Sequence, residues 1–447
     1  MKMSDTIVAI STANGSGAIS IVRMSGKNAI EIAQKVTKTT FIPRYAKLTK
    51  FYNLKNELID IPLVIYFKNP NSFTGEDIVE FHCHGGVAVS KLVLETLIQA
   101  GARLAEPGEF SKRAFLNGKI DMAQAEAISK LIESKSKESV KILSKQLRGD
   151  LSHFVEDIRN KLLEIMAYVE VNIDYAEEDL PQDLIEQIKE RLKNLSTLLE
   201  KSLKASKKRE SMFNGYKVAI IGKPNVGKSS LLNNLLNYER AIVSNIAGTT
   251  RDTIEEEITI GTHIIRIVDT AGIRDNTKDE IEKIGIEKSK EAVREADIVI
   301  AMFDNSREFD EEDEAILNII ENTDKDVLVV LNKIDLESKF NNSKLNKFEI
   351  IKTSQKDENY EIEKKLESIL DNYSHTEDNI LISQRQVKAV EDAYNAINEA
   401  YELIETAELE LFSYNIQEAI LSISKITKPY EHDEMLDKMF SSFCVGK

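Results

Sequence analysis

The nine residues GKPNVGKSS (Gly222 to Ser230) limit what this chain can fold into more than any other stretch. They fit the pattern G-x-x-x-x-G-K-[ST], follow the apolar run KVAII and open the helical run SLLNNLLN. Such a loop works only where a strand hands directly to a helix, because the loop N–H groups and the helix start must converge on one anion. Asn225, Val226, Gly227, Lys228, Ser229 and Ser230 then surround the phosphates, with Lys228 reaching the β- and γ-phosphates and the Ser229 hydroxyl on Mg²⁺. The neighbouring runs YKVAIIG, HIIRIVDTAG, ADIVIAMFD and DVLVVLNKID read as strands separated by loops or helices. That alternation predicts a doubly wound, mostly parallel sheet over residues 213–374, with ligands at the carboxyl ends of its strands.

Two further strings sit at such strand ends. DTAG (Asp269, Thr270, Ala271, Gly272) offers a carboxylate for a Mg²⁺ water and a glycine amide for the γ-phosphate. NKID (Asn332 to Asp335) selects the base. The Asp335 carboxylate can accept from N1–H and the 2-amino group of guanine, which adenine does not offer, and an unpaired carboxylate there would reject ATP. Lys333 can lay its stem over the purine, and Asn332 can tie this loop to the phosphate loop. The three strings in this order point to GTP.

The residue after Gly272 is Ile273, where many small GTPases carry a glutamine that orients water. Another group must then orient the water, and Glu280 and Glu282 are equally placed by position alone. The first switch belongs at SNIAGTTRD, which supplies Ser244, Asn245, Ile246, Ala247, Gly248, Thr249 and Thr250 to the nucleotide, with Thr250 as second Mg²⁺ ligand. Asn225 with oxygens of Ser244, Ile246 and Thr249 could cage a monovalent cation that offsets transition-state charge. Arg251 and Arg274 compete for that role.

The rest of the chain has two other textures. Residues 1–118 mix strand-like runs such as GAISIVRMSG and IPLVIYFKNP with the helical run VAVSKLVLETLIQAG, which is an α+β pattern. Residues 119–212 and 375–447 carry helical spacing with few breakers, so the sheet of 213–374 reads as an insertion into one helical bundle domain. The fold class is therefore multidomain α/β and α. No run of about 18 uncharged apolar residues occurs, and MKMSDTIVAI is neither a signal nor a transit peptide, so a cytoplasmic location and no membrane partner are expected. A net charge of −16 argues against coating nucleic acid through bulk electrostatics but allows a localised RNA contact. HCHGG (His82, Cys83, His84) lacks a distant second ligand pair and is poor zinc geometry. The closing SSFCVGK fails the prenylation pattern at Gly446 and Lys447, leaving a frayed end or a docked one.

Taken together, IVRMSG, TGEDIVEFHCHGG, EPGEFSKRAFLNGKIDMAQAEAISKLI, AGTTRD and the final FCVGK resemble the bacterial tRNA-modification GTPase family MnmE, also called TrmE, over essentially the full length. The resemblance implies a potassium-activated GTP hydrolase working with the flavoprotein MnmG (GidA) as a heterotetramer, FAD residing on that partner. The pair would add a carboxymethylaminomethyl or aminomethyl group to C5 of the wobble uridine of certain tRNAs. The one-carbon donor would be 5,10-methylene- or 5-formyl-tetrahydrofolate. It further implies a homodimer through a folate-binding N-terminal domain. Folate contacts carry over to Arg23, Glu80, Lys119 and Lys447, and the water-orienting acid to Glu282. Cys444 is the thiol available as nucleophile or acid/base near that site. Two departures are Ser354–Gln355 in place of the usual guanine-loop pair, and ITKPYEHDEMLDKMF where a glycine-rich approach to the last helix is usual. A ribosome-assembly GTPase, or a nucleotide switch without modification chemistry of its own, would share the three nucleotide strings.

Overall fold

The computed structural model describes residues 5–13, 15–174, 182–206, 209–238, 256–268, 282–354, 360–374, 381–404, 408–428, 433–441, 443 and 446. The chain divides into two compact units. The first comprises Met1–Ile132, Ser144–Ser196 and Lys388–Lys447, and the second Glu133–Leu143 and Thr197–Val387.

In the first unit, strands β1 (Ile7–Ile10), β2 (Ile19–Ser25), β3 (Lys47–Leu48), β6 (Leu63–Phe67), β7 (Ile78–His84) and β8 (Arg103–Leu104) form a sheet in the order β3-β6-β7-β2-β1-β8. The short β4 (Phe51–Tyr52) and β5 (Leu58–Asp60) pair separately. β2 lies antiparallel to both β1 and β7, which sets Ala9, Arg23 and Glu80 in one cross-strand row. Alternation then sends Val22, Met24, Val79 and Phe81 to one face. There they meet α1 (Ala29–Thr37) and α2 (Val87–Gln99), whose buried Ala29, Ile32, Ala33 and Val36, and Val93 and Leu97, follow helical spacing. The other face carries Ile7 and Ala9 against Ala105 and Phe110.

Phe110 belongs to α3 (Glu109–Leu116), which is followed by α4 (Met122–Glu133), α5 (Lys137–Arg148), α6 (Asp150–Asp174), α7 (Gln182–Ser206) and α8 (Arg209–Asn214). The long α6 buries Leu151, Val155, Ile158, Leu162 and Ile165 along one stripe. Its partner comes from far along the chain: α14 (Leu409–Ser424), whose buried Phe412, Ile416, Ala419 and Ile423 form the matching stripe.

In the second unit the strands β9 (Tyr216–Gly222), β10 (Glu256–Ile260), β11 (His263–Val268), β12 (Ile298–Asp304), β13 (Asp326–Asn332) and β14 (Ile350–Lys352) are ordered β10-β11-β9-β12-β13-β14. All neighbours are parallel except β10, which is antiparallel to β11. Every residue of β12 is buried, as expected of a central strand covered on both faces. One face packs Ala219, Ile221, Val299, Ala301, Phe303 and Val329 against α10 (Glu282–Glu295) and α11 (Glu311–Glu321). The unit also holds α9 (Lys228–Tyr238) and α12 (Tyr360–Ser374). Helix α13 (Gln384–Leu403) begins in this unit and runs on into the other division of the chain, and α15 (Asp433–Phe440) lies near the C-terminus.

Among the described residues no helix is long and apolar enough to cross a membrane.

Candidate nucleotide site and polar sheet face

The phosphate loop forms where its sequence predicts, between β9 and α9. Gly227 sits at φ 112°, and a Cβ there would strike the Asn332 amide, so only glycine fits. That amide is in use: Asn332 Nδ2 donates to Val226 O at 2.8 Å, which is the expected tie between the NKID segment and the loop. Lys228 Nζ donates to Gly222 O at 2.6 Å and Lys223 O at 2.8 Å, and burial pushes its pKa down to about 8. A desolvated ammonium held by two loop carbonyls at a helix start suits a polyphosphate. Ser229 follows in the first turn of α9 and is exposed.

On the base side, Lys333 Nζ donates to Asn225 O at 2.7 Å and to Asp304 Oδ2 at 2.6 Å. Both Asn225 (φ 64°) and Lys333 (φ 62°) hold left-handed backbone, uncommon for non-glycine residues. Asp335 is exposed on the following loop, and Ser354 is buried after β14. The sheet thus brings together Asn225, Val226, Gly227, Lys228, Ser229, Ser230, Asn332 and Lys333, with Asp335 and Ser354 at the adjoining strand ends.

Sequence reasoning missed the acids that hold this loop. Asp304 ends β12 at 3% exposure. Burial alone would raise its pKa, but Lys333 and Ser306 hydrogen bonds hold it below the usual carboxylate range. Lys223, also buried, pairs with Asp310 and Asp313 at the start of α11. The available signal was a carboxylate closing the otherwise apolar strand IVIAMFD, at the sheet edge where ligands bind.

Ser244, Asn245, Ile246, Ala247, Gly248, Thr249, Thr250, Asp269, Thr270, Ala271 and Gly272 lie outside the described residues. So do Arg251, Ile273, Arg274, Glu280, Cys444 and Lys447; Glu282 opens α10, but its side chain is likewise outside the description.

The N-terminal sheet carries a second polar cluster. Arg23 and Glu80 are cross-strand partners, with Arg23 Nε donating to Glu80 Oε1 at 2.8 Å. The guanidinium also lies 5.9 Å from the Phe73 ring and 5.8 Å from Phe110. Glu80 Oε2 is 3.3 Å from His82 Nε2. The exposed Lys119 runs its stem beside Gly75, in the loop that carries Phe73. Gly446 accepts from Ser11 Oγ at 3.0 Å, just past β1, and a Cβ there would strike Ile10 O. Behind this face, Arg113 donates to Glu76 at 3.0 Å and Glu109 at 2.9 Å, while Arg103 donates to Glu109 at 2.8 Å. Of the HCHGG string, Cys83 is in the core, His82 faces Glu80, and His84 Nδ1 is 2.6 Å from Asp60.

Comparison with known proteins places the chain among named relatives. A family model described as the GTP-binding protein TrmE N-terminus matches residues 6–119, and one described as the MnmE helical domain matches residues 122–444. A protein of Aliarcobacter butzleri named tRNA modification GTPase MnmE is 58% identical over 449 residues, covering 100% of each chain. Its namesake in Sulfurimonas denitrificans is 59% identical over 446 residues, covering 99% of each. The solved structure of Era in complex with MgGDPNP and a 16S ribosomal RNA fragment is 30% identical, covering 40% of this chain and 66% of its own. Its TM-score of 0.27 is too low to bear on the fold. Full-length identity at this level, together with the phosphate loop and its NKID tie, shows that the chain belongs to the tRNA modification GTPase family MnmE, also called TrmE.

Proposed function

We propose that this GTPase is potassium-activated and acts with the flavoprotein MnmG (GidA) on the wobble uridine of certain tRNAs, in the cytoplasm. The product carries a carboxymethylaminomethyl or aminomethyl group at C5, its one-carbon unit coming from a tetrahydrofolate. The observation that carries this reading is the half-buried Arg23–Glu80 pair on the N-terminal sheet, in a chain that also holds a GTP loop. A carboxylate can take the donor edge of a pterin, and Arg23, Lys119 and Lys447 supply cations for a folate's glutamate. Cys444 is the candidate nucleophile or acid/base at that site. The segments 1–118, 119–212 with 375–447, and 213–374 are the folate-binding and dimerising domain, the helical domain and the GTPase domain of a homodimer that joins MnmG in a heterotetramer.

In the GTPase domain, Lys228 neutralises charge on the β- and γ-phosphates, and Ser229 and Thr250 hold Mg²⁺. Asn225, exposed at the loop's turn, fits a monovalent-cation ligand, joined by Ser244, Ile246 and Thr249. K⁺ bound there supplies positive charge at the phosphates. Because Ile273 cannot orient water, Glu282 does so. GTP turnover compared in KCl and NaCl tests the cation role, and equal rates would refute it. Mass spectrometry of tRNA nucleosides from a strain lacking the gene tests the modification, which unchanged wobble uridines would refute. Glu282→Ala is expected to bind GTP normally and lose most hydrolysis.

A further inference from the structure

We propose that Asp304 is a positioning residue for guanine-nucleotide binding, acting through Lys333 on the phosphate loop. The inference rests on reading Asn332–Asp335 as the guanine-recognition segment. Asp304 and Asn332 are register partners at the carboxyl ends of the neighbouring strands β12 and β13, so Asp304 lies one residue from Lys333 across the sheet. Its two oxygens have separate tasks. Oδ1 accepts from Ser306 N at 2.9 Å and Ser306 Oγ at 2.7 Å, which fixes the carboxylate plane. Oδ2 accepts from Lys333 Nζ at 2.6 Å, with Arg307 Nε a further 3.6 Å neighbour.

A lysine ammonium has three N–H donors on a flexible stem. Here one goes to Asp304 and one to Asn225 O at 2.7 Å, leaving the third for an oxygen of the ligand. The stem is thereby held at a fixed height for stacking on a purine. The same ammonium pins Asn225, a phosphate-loop residue in left-handed backbone. Both Asp304 oxygens are engaged by Ser306 and Lys333, so it acts on both sides of the nucleotide through where it holds Lys333. Without its carboxylate the ammonium gains more by turning to water, and the Asn225 carbonyl loses its donor.

The test uses the full-length chain and fluorescent GDP and GTP analogues. Equilibrium affinities and nucleotide-free thermal unfolding are measured for the unsubstituted protein, Asp304→Asn, Lys333→Ala, the double variant and Ser306→Ala. Asp304→Asn is expected to weaken GDP binding by about tenfold or more, since it uncouples a buried charge pair. Ser306→Ala should weaken it less, in the same direction. The double variant should bind within about twofold of Lys333→Ala alone, because residues acting in series do not add. Unchanged affinity in Asp304→Asn, or losses that multiply in the double variant, would overturn the proposal even while the parent protein prefers GDP. A parent that binds ADP as tightly as GDP would overturn the guanine reading and this proposal with it. Should Asp304→Asn fail to fold, the cycle of Ser306→Ala with Lys333→Ala gives the same decision.

Discussion

Lys228 is a half-buried cation whose described partners are carbonyl oxygens, and desolvation lowers its pKa from 10.5 to about 8. Phosphate restores the charged form, so binding takes up a proton once the pH passes about 8. Nucleotide affinity is therefore expected to fall above that pH, by up to about tenfold per unit. Calorimetry in buffers of different ionisation enthalpy should show the proton uptake, and a flat affinity across this range would contradict it. Cys83 is the opposite case. Buried among Val22, Phe81 and their neighbours, its thiol is pushed up to about 12, so it should resist iodoacetamide in the folded protein and react once the chain is unfolded. Glu109 shows how burial can be outweighed. Desolvation raises its pKa, but bonds from Arg103, the Glu106 N–H and Arg113 win and hold it below 4.5. Its contribution is present above that ordinary value and is lost as pH falls through the lowered one. Glu109→Ala leaves Arg113 buried with less compensation, and urea unfolding should show a loss of about 3 kcal/mol. The P-loop lysine was legible because a fixed spacing carries its chemistry; the Glu109 network was not, since its members are scattered over Asp5, Glu76, Arg103 and Arg113.

Among elements, α11 and β12 show what local sequence can and cannot announce. Asp310 caps α11 by accepting from Glu312 N at 3.0 Å and Asp313 N at 3.2 Å, and Asp313 completes the capping box. That cap could be read from DEED before an apolar helix. Its second use could not, because Lys223 arrives from β9's loop to pair with both acids. Asp310 is 56% exposed, so Asp310→Asn, which keeps the cap, should be nearly neutral, while Asp310→Ala should cost about 1 kcal/mol. Asp313 and Lys223 are 3% and 6% exposed, and Asp313→Ala should cost about 3 kcal/mol by stranding the ammonium. Equal losses in Asp310→Ala and Asp313→Ala, measured by denaturant unfolding, would argue against this division of roles. β12 was legible as a strand from its apolar run, but its central place in the sheet was set by pairing with β9 and β13.

For the whole molecule, the strand–helix alternation of residues 213–374 announced a mostly parallel sheet, but the order β10-β11-β9-β12-β13-β14 came only from strand pairing. The chain's division into two compact units places parts of α5, α7 and α13 on either side, a distribution no local pattern indicates. The described ties to the phosphate loop, from Asn332, Lys333, Asp304, Asp310 and Asp313, all lie within the second unit. A fragment spanning residues 209–374 is therefore expected to bind GDP with an affinity close to that of the intact chain; a large loss would place a nucleotide contact elsewhere. By itself the sequence determined the strand–loop–helix phosphate site, the NKID segment and the amphipathic helices, because each depends on the spacing of residues close in the chain. Only the tertiary structure decided that Arg23 meets Glu80, that α14 completes the stripe of α6, and that Asp304 holds Lys333. Those contacts join residues far apart in sequence, and they exist only once strand register and helix packing have fixed where each backbone runs.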